Sequence, residues 1–559
     1  MGLLIKLLHE FCRLLAILHR ISRRIYPDAN LCDKRMCFLS SLQLQLTVWA
    51  GRVTIDIVPD DVLLCAFHFI QPDVDRLRDL SWWQPVVNVC RRWRSVVFAS
   101  PKFLGLRLVC DPWIPARLTV ICPPFPIIIW NLHNVTDRVM PEEYGLDVAI
   151  VHPNRVCEIH LHFASSELQR FATAMQKPFP ALIKLTLETF PDFTPAPAPA
   201  LPDGFLGGSA PRLQSLELNR IPFPALPTLL SSATDLVSLT LLNVPDSGYI
   251  SPEVIVAHLA TSANLKSLNI QFESLHDWAS WRPPLPTRTV FPALIRFQFY
   301  GVSDYLEDLV SRIDAPLLNS IDITFCHQLI SDIPNLAQFM RRTTKIEALN
   351  EAHVDFDRYT VVVQSLQSLT SDKKFGLVIS CVDDDWQFSS LGEVLMPLFP
   401  SIFMVEHLYI HGTAYTLSRE DVEDLRLPEI FNSFSTEFFH ALTTVKNLYI
   451  HMRHAEFFAL ILLKHFLEIA TDVLPALESL CLEGLQPSEP LQEGIGQFVA
   501  VRQLAGHPVA ISYQKWEKWN RSQNVLHETA NDCLQPHPSR SYQTYSPQMS
   551  YLAPPTSSV

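Results

Sequence analysis

The segment FPALIKLTLETF, residues 179–190, determines the fold that we predict for most of this chain. Leu185 and Leu187 alternate with polar residues, as expected of a strand with one buried face. Four other segments also place a proline two residues before the first leucine: APRLQSLELNRI (210–221), FPALIRFQFYGV (291–302), APLLNSIDITFC (315–326) and LPALESLCLEGL (474–485). Four more share the pattern without the proline: ATDLVSLTLLNV (233–244), SANLKSLNIQFE (262–273), MVEHLYIHG (404–412) and VKNLYIHM (445–452). We interpret these segments as repeats of one structural unit.

The spacing of the repeats indicates what connects their strands. Successive first apolar positions lie 31, 23, 29, 29 and 24 residues apart, at Leu182, Leu213, Leu236, Leu265, Leu294 and Leu318. Later copies begin at Val405, Val445 and Leu477. The residues left between strands are enough for a return helix, as in leucine-rich repeats. The sequence therefore predicts an α/β fold: a leucine-rich-repeat-like solenoid over residues 150–490, with a curved parallel sheet and outer helices.

The repeats depart from the usual leucine-rich pattern at their ninth position, which normally holds Asn or Cys. Only Cys326 fits, and apolar residues stand elsewhere: Phe190, Ile221, Val244, Val302 and Leu485. We therefore expect an irregular arc with helices of unequal length. The register is weakest over residues 346–400, although GLVIS (376–380) is a candidate strand in phase.

The third, fifth and seventh positions of each strand are predicted to line the free, concave face of the sheet. Early repeats place there Lys184, Thr186, Glu188, Ser215, Glu217, Asn219, Ser320, Asp322 and Thr324. The candidate target-binding residues are Arg296, Gln298, Tyr300, His407, Tyr409, His411, Asn447, Tyr449 and His451. Tyr and His suit a recognition patch because they combine a rigid ring with a polar tip. A solvated sheet surface without a ligand is the alternative, and ligand spacing does not favour a metal at His407, His411 and His451.

A separate helical unit precedes the repeats. Pro59 followed by Asp60 and Asp61 is typical of a helix start. The apolar stripe that follows consists of Val62, Leu63, Ala66, Phe67 and Ile70. In VVNVCRRWRSVVFASPKFL (86–104), Val86, Val89, Cys90, Trp93 and Val97 share one helix face, while Arg91, Arg92 and Arg94 lie on the other. The arginines could contact nucleic acid or a partner, or could simply solvate the helix.

Together these two segments resemble the F-box, especially as found in large fungal F-box families. The matching positions are Val58, Pro59, Val62, Leu63, Phe67, Val89, Cys90, Arg91, Trp93 and Arg94. Val58 replaces the usual Leu, and Asp60 and Asp61 stand where Glu is commoner. The resemblance implies docking onto a Skp-family adaptor of a cullin-RING ubiquitin ligase. The implied adaptor-binding residues are Pro59, Val62, Leu63, Phe67 and Ile70, with Val89, Cys90 and Trp93 supporting or extending the contact.

Charge and cysteine usage limit the functional classes. The net charge is -13, and residues 111–559 contain 29 basic and 48 acidic residues. Most of the chain would therefore repel a polyanion, which argues against nucleic-acid binding. The 12 cysteines are scattered without a CxxC pair, which is typical of a reduced intracellular protein. We expect a cytoplasmic and/or nuclear location.

The remaining segments are predicted from periodicity and composition. Residues 1–54 read as an amphipathic helical leader, with a membrane-surface helix or a signal sequence as alternatives. Charged residues interrupt its apolar run, so no membrane span is expected. The resemblance implies that residues 55–104 are the F-box unit, and we predict a connector over 105–149, a C-terminal cap over 491–520 and a disordered tail over 521–559.

No catalytic motif was found: the chain has no G-x-S-x-G, P-loop, G-x-G-x-x-G or H-E-x-x-H pattern. We therefore expect no enzyme activity of its own, no cofactor and no metal. The predicted function is a substrate-recognition subunit of a Skp-cullin-F-box ubiquitin ligase that binds an unknown protein target on the solenoid. The alternative is a non-catalytic protein-binding scaffold that does not assemble into a ligase.

Overall fold

Alternation of leucine with polar residues decides which parts of the repeats form strands. The structure is a computed structural model and describes residues 58–69, 82–110, 125–131, 150, 152–163, 165–189, 199–273, 288–326, 333–343, 351–356, 360–366, 373–380, 405–412, 442–452, 474–483 and 489–514. In the strand Lys184–Thr189, each Leu is buried and each polar residue before it is half-buried. Ser215–Asn219 and Ser267–Phe272 repeat this alternation. Period-two burial, predicted from the leucines, is confirmed in these strands.

The strands of the described residues are numbered here in chain order. They are β1 (Leu108–Cys110), β2 (Ile127–Asn131), β3 (Val156–Phe163), β4 (Lys184–Thr189), β5 (Ser215–Asn219), β6 (Ser238–Val244), β7 (Ser267–Phe272), β8 (Thr289–Val290), β9 (Arg296–Gly301), β10 (Ile313–Asp314), β11 (Ser320–Cys326), β12 (Glu351–Phe356), β13 (Thr360–Leu366), β14 (Lys373–Ser380), β15 (His407–Gly412), β16 (Asn447–Met452), β17 (Ser479–Glu483) and β18 (Ala510–Gln514).

One sheet holds 16 of these strands, in the order β1-β2-β3-β4-β5-β6-β7-β9-β11-β14-β13-β12-β15-β16-β17-β18. Neighbours are parallel except at β13, which is antiparallel to both β12 and β14. Strands β8 and β10 form a separate parallel pair. The predicted α/β class with a large, mostly parallel sheet is therefore confirmed, and the arrangement is solenoid-like.

The helices of the described residues are numbered in chain order. They are α1 (Asp60–Phe69), α2 (Trp83–Val87), α3 (Arg91–Ala99), α4 (Ser165–Ala174), α5 (Leu226–Ser232), α6 (Pro252–Leu259), α7 (Ser303–Ser311), α8 (Pro334–Arg342) and α9 (Glu489–Leu504), with short 3-10 turns at Phe205–Gly208 and Asp246–Gly248. Phe297 of β9 packs on Phe339 of α8, with ring centroids 6.5 Å apart, and Phe299 stacks on Tyr305 of α7 at 5.9 Å. α7 and α8 therefore cover the fourth and sixth positions of β9. The third, fifth and seventh positions lie on the opposite face, called the open face below.

The first three helices of the described residues, α1, α2 and α3, pack around aromatic side chains. Phe67 of α1 lies edge-on to Trp93 of α3, with centroids 5.0 Å apart. Trp83 contacts Phe98 and Phe125, and its Nε1 donates to the carbonyl of Arg107 at 3.1 Å. The buried residues of these helices therefore join the same hydrophobic core as the sheet. We call α1 to α3 the helical unit.

The weakest part of the predicted register contains a rearranged strand order. The chain crosses from β11 to β12, returns through β13, and places β14 beside β11. GLVIS lies in phase as predicted, because Gly376 and Leu377 pair with Asp322 and Ile323 in parallel. A Cβ on Gly376 would lie 2.7 Å from Oδ1 of Asp322, so glycine leaves room for that carboxylate.

The ends of the sheet extend beyond the predicted repeat region. β1 and β2 fall within the predicted connector. β18 falls within the predicted cap and pairs with β17 of the last predicted repeat. Their sequences, LVC, IIIWN and AISYQ, lack the L-x-L core that identified the repeats. The predicted leader (residues 1–54) and tail (521–559) lie outside the described residues. Within the described part of the chain, none of the helices combines the length and the apolarity needed to cross a bilayer.

Candidate functional site

The predicted adaptor-binding residues divide into buried and exposed groups. Leu63 and Phe67 have no exposed surface and Trp93 only 2%. They form the internal core of the helical unit, and the direct adaptor contact of Leu63 and Phe67 stays a prediction. Pro59, Val89 and Cys90 are exposed and Val62 is half-buried. Ile70 lies outside the described residues.

The arginines of the helical unit link its helices. Nη2 and Nε of Arg92 donate to Oδ1 of Asp60 at 2.7 and 3.0 Å, and Nη2 also donates to the carbonyl of Val58. Nε of Arg94 donates to the carbonyl of Val87, in the last turn of α2, at 3.1 Å. Two of the three arginines therefore hold α3 against the start of α1 and the end of α2. This gives them a role that needs no nucleic acid.

Cys90 caps the first turn of α3. Its Sγ accepts a hydrogen bond from the backbone nitrogen of Trp93 at 3.4 Å, the place that Ser or Asp usually fills at a helix start. The sequence suggested only that Cys90 shares an apolar face. The cap explains why a small residue with an acceptor atom suits position 90, because the N–H groups of the first helical turn need a hydrogen-bond acceptor.

The first group of predicted target-binding residues lies near the middle of the open face. Arg296 and Gln298 are exposed and Tyr300 is half-buried, all on β9. Their neighbours in register are Ser320, Asp322 and Thr324 on β11. This part of the open face is polar, as the alternation predicted.

The second group lies on β15 and β16, which pair in register. Tyr409 lies beside Tyr449, and the rings stack with centroids 4.2 Å apart and planes 7° from parallel. His407 lies 6.3 Å from the Tyr449 ring and, like Asn447, is half-buried. The backbones of His411 and His451 are partners across the same two strands, and their side chains lie outside the described part.

The two groups do not form one patch. Five strand spacings separate β9 from β15, because β11, β14, β13 and β12 lie between them. At a spacing of about 4.8 Å per strand, this corresponds to about 24 Å along the sheet. A single side chain of a bound peptide is too short to contact both groups, so they are separate candidate sites.

His353 belongs to the second group and was missed by sequence reasoning. Its ring stacks on Tyr409 with centroids 4.4 Å apart and planes 6° from parallel. Nε2 of His353 lies 3.0 Å from Oε1 of Glu351, and this hydrogen bond lowers the pKa of the Glu351 carboxyl. Burial and the nearby Glu351 carboxylate raise the pKa of Tyr409, which stays neutral. The alternation of polar and apolar residues in EAHVDF, residues 351–356, could have predicted a strand with His353 on the same face as Tyr409.

A similar arrangement occurs at the other end of the open face. His160 on β3 lies 4.9 Å from the ring of Trp130 on β2, and its Nε2 lies 3.4 Å from Oε2 of Glu158. Arg107 also pairs with Glu158. The hydrogen bond with His160 and the charge of Arg107 lower the pKa of the Glu158 carboxyl, despite its burial. Both ends of the open face thus carry a Glu-x-His pair beside an aromatic ring.

We expect Glu158→Gln to destabilise the protein by about 1–3 kcal/mol at neutral pH, because it removes charged hydrogen bonds from a mostly buried carboxylate. The folded-state pKa of Glu158 is lowered from 4.5, so its contribution is complete above that value. The contribution is lost as the pH falls through the lower folded-state pKa. Urea denaturation across this pH range would measure the difference between variant and parent.

Glu217→Gln is the matched control for this prediction. Glu217 lies on the open face of β5, and Thr186 donates to its Oε2 at 3.4 Å. Glu217→Gln should therefore lower the free energy of unfolding by less than Glu158→Gln. Two results would contradict a stabilising role of the ionised Glu158 carboxylate. One is equal destabilisation of the two variants at neutral pH, and the other is a Glu158→Gln effect that persists in acid.

The described side chains are suited to binding. Burial raises the pKa of Cys157 to about 11, so this thiol is protonated at neutral pH and is a poor nucleophile. Within the described residues, Cys65, Cys90, Cys110, Cys157 and Cys481 form no disulfide bond. Among the residues that can be described, no group of three His, Cys, Asp or Glu side chains could hold a metal ion. The open face instead offers stacked rings, hydroxyls and amides.

Comparison with known proteins does not assign the chain to a family. No protein-family model matches it, and no curated protein matches it.

Proposed function

We propose that the chain is a substrate-recognition subunit of a Skp-cullin-F-box ubiquitin ligase. The helical unit would contact the Skp-family adaptor, and the open face would hold the target protein. The observation that carries this proposal is the combination of a three-helix unit, containing PDDVLLCAF and VCRRWRSVV, with a long, mostly parallel sheet whose described strands carry polar residues on one face. The first part resembles the F-box, and the second resembles an irregular leucine-rich-repeat solenoid.

The adaptor would contact the exposed apolar residues of the helical unit. Val89 is 45% exposed, and Phe103, which follows α3, is 51% exposed. Pro59 and Cys90 are exposed as well. Exposed apolar residues at an interface gain free energy when a partner removes them from water. Leu63, Phe67 and Trp93 would support this surface from beneath.

The contribution of this subunit to ubiquitin transfer would be proximity. Holding a target on the open face raises the effective concentration of its lysines near the transfer site of the ligase. Other subunits would carry out the covalent steps. Such a receptor would act in the cytoplasm or the nucleus, and no cofactor is required for binding.

Co-purification of the full chain with a Skp-family adaptor tests the proposal. We expect Val89→Asp to reduce adaptor retention at least about tenfold, since it places a charge in an apolar interface. Val254→Asp is the matched control, because Val254 is 37% exposed on α6, away from the helical unit. Failure of the parent chain to retain the adaptor would refute the proposal, as would equal retention of both variants.

A binding scaffold outside any ligase is the second candidate, and the position of the helical unit favours it. The contacts of Trp83 with Phe125 and with the carbonyl of Arg107 tie this unit to the first strands of the sheet. On this hypothesis the helices only cap the sheet. The scaffold predicts no adaptor retention and no effect of Val89→Asp on target binding.

A further inference from the structure

The most accessible part of the open face lies on one strand near its middle. From β3 to β17 of the large sheet, the described open-face residues are half-buried or buried, except Arg296 and Gln298 of β9, which are exposed. Positions nearer the two ends are covered, since His160 is 5% exposed, His353 1% and Cys481 3%. Arg296 and Gln298 are therefore the side chains that a partner can contact directly.

Short polar side chains flank these two residues. In register, Arg296 lies between Ser267 of β7 and Ser320 of β11, and Gln298 lies beside Asn269 of β7. Arg296 and Gln298 are two residues apart on one strand, so their Cα atoms are separated by about 7 Å and their side chains share a face. The guanidinium group therefore extends above shorter neighbours, whose hydroxyl and amide groups can donate further hydrogen bonds to a bound group.

The charge around Arg296 is locally positive. Strands β6, β7 and β9 contain no Asp or Glu. Lys266, which directly precedes β7, is exposed, and its carbonyl accepts hydrogen bonds from the backbone nitrogens of Ile295 and Arg296 at 2.8 and 3.0 Å. Two cations therefore lie where neighbouring strands begin, and their combined potential favours an anionic ligand.

The acidic residue on the adjacent strand β11 is turned away from β9. Asp322 lies between Gln298 of β9 and Gly376 of β14 in register. Its Oδ1 occupies space beside Gly376, where a Cβ would lie only 2.7 Å from that oxygen. Among the described residues, no carboxylate forms an ion pair with Arg296. The guanidinium group is therefore available to a carboxylate from another molecule.

We propose that Arg296 binds a carboxylate of an acidic segment in the target protein and that Gln298 pairs with the backbone of the same segment, an inference that rests on the proposed function of the open face. A guanidinium group can donate two parallel hydrogen bonds to one carboxylate. The amide of Gln298 both donates and accepts, which suits a peptide group. The substrate class is therefore a protein with an exposed Asp or Glu in an extended segment.

Fluorescence anisotropy with labelled peptides and the full chain tests this inference. The probes are glutamate-glycine, glutamine-glycine and phosphoserine-glycine repeats of equal length. We expect the glutamate peptide to bind and the glutamine peptide not to bind, although the net charge of -13 disfavours acidic ligands in general. Arg296→Gln should weaken binding of the glutamate peptide about tenfold, because it removes charged hydrogen bonds. Equal binding of the glutamate and glutamine peptides would overturn the inference, as would binding of the phosphoserine peptide alone.

Matched variants separate a local site from net charge. Lys184→Gln removes a positive charge from the open face of β4 and should leave binding of the glutamate peptide unchanged. Gln298→Glu places a like charge about 7 Å from position 296 and should weaken binding about tenfold, whereas Gln271→Glu makes the same change about 14 Å away and should have a smaller effect. Equal losses in Lys184→Gln and Arg296→Gln, or in the two Gln→Glu variants, would show that only net charge matters. The substituted side chains are exposed or half-buried, so circular dichroism of each variant should match that of the parent.

The failure of this inference is distinguishable from the failure of the proposed function. Arg296→Gln should retain the adaptor like the parent chain, because β9 is remote from the helical unit in the strand order. Adaptor retention without selective binding of the glutamate peptide refutes the inference alone. Selective binding of that peptide without adaptor retention refutes the ligase function and supports the scaffold.

Discussion

Replacing Phe67 with alanine should lower the free energy of unfolding by about 3–5 kcal/mol, because the change leaves a cavity in a packed core. Phe67 has no exposed surface and lies edge-on to Trp93, which is itself 2% exposed. Loss of the ring removes apolar burial and also the contacts of the indole. Urea denaturation followed by tryptophan fluorescence would measure the change, since Trp82, Trp83 and Trp93 lie in the helical unit.

Cys65→Ala is the control for this prediction. Cys65 lies on the same helix and is exposed, so its replacement should change stability by no more than about 0.5 kcal/mol. A Phe67→Ala variant as stable as Cys65→Ala would contradict the packing described here. The prediction also decides how adaptor binding is tested: substitutions at Phe67 or Trp93 would disrupt the helical unit itself, whereas Val89→Asp changes only its surface.

Leu268→Asp should be still more disruptive, with a loss of at least about 4 kcal/mol, because an unpaired carboxylate would be buried between packed layers. Leu268 is 1% exposed in β7, and its neighbours in register are Leu239 and Phe297. We expect loss of soluble protein or a large fall in the midpoint of thermal unfolding. Circular dichroism during heating would measure the latter.

The adjacent residue provides the matched control. Asn269→Asp introduces the same side chain one position further along β7, where the residue is half-buried on the open face. Its cost should be within about 1 kcal/mol, since water still solvates the carboxylate. Similar stability of the two variants would mean that the face assignment in β7 is wrong.

Strand pairing could be predicted only in part. The leucine pattern identified β4, β5, β6, β7, β9 and β11, and their order along the sheet follows the chain. The pattern also predicted the GLVIS strand, which is β14. The antiparallel placement of β13 was not predictable, because an alternating strand has the same side-chain period in either direction. β1, β2 and β18 were missed because none of them contains the L-x-L core.

The candidate sites were also only partly predictable. Alternation placed Arg296, Tyr409 and Tyr449 on the same face of the sheet, and this is confirmed. It did not show that β12 lies next to β15, which brings His353 and Glu351 to Tyr409. In the helical unit, periodicity could not distinguish an apolar face that packs internally from one that binds a partner, because both bury the same residue types.

The sequence by itself determined the α/β class and the face on which each strand residue lies, since the two-residue period of a strand is a local property. It also determined the helix start at Pro59, which depends on neighbouring residues only. Only the tertiary structure decided the order of β11 to β15, the burial of Phe67 and the stack of His353 on Tyr409. These features join residues far apart in the chain, and their positions depend on how the whole sheet and its helices pack.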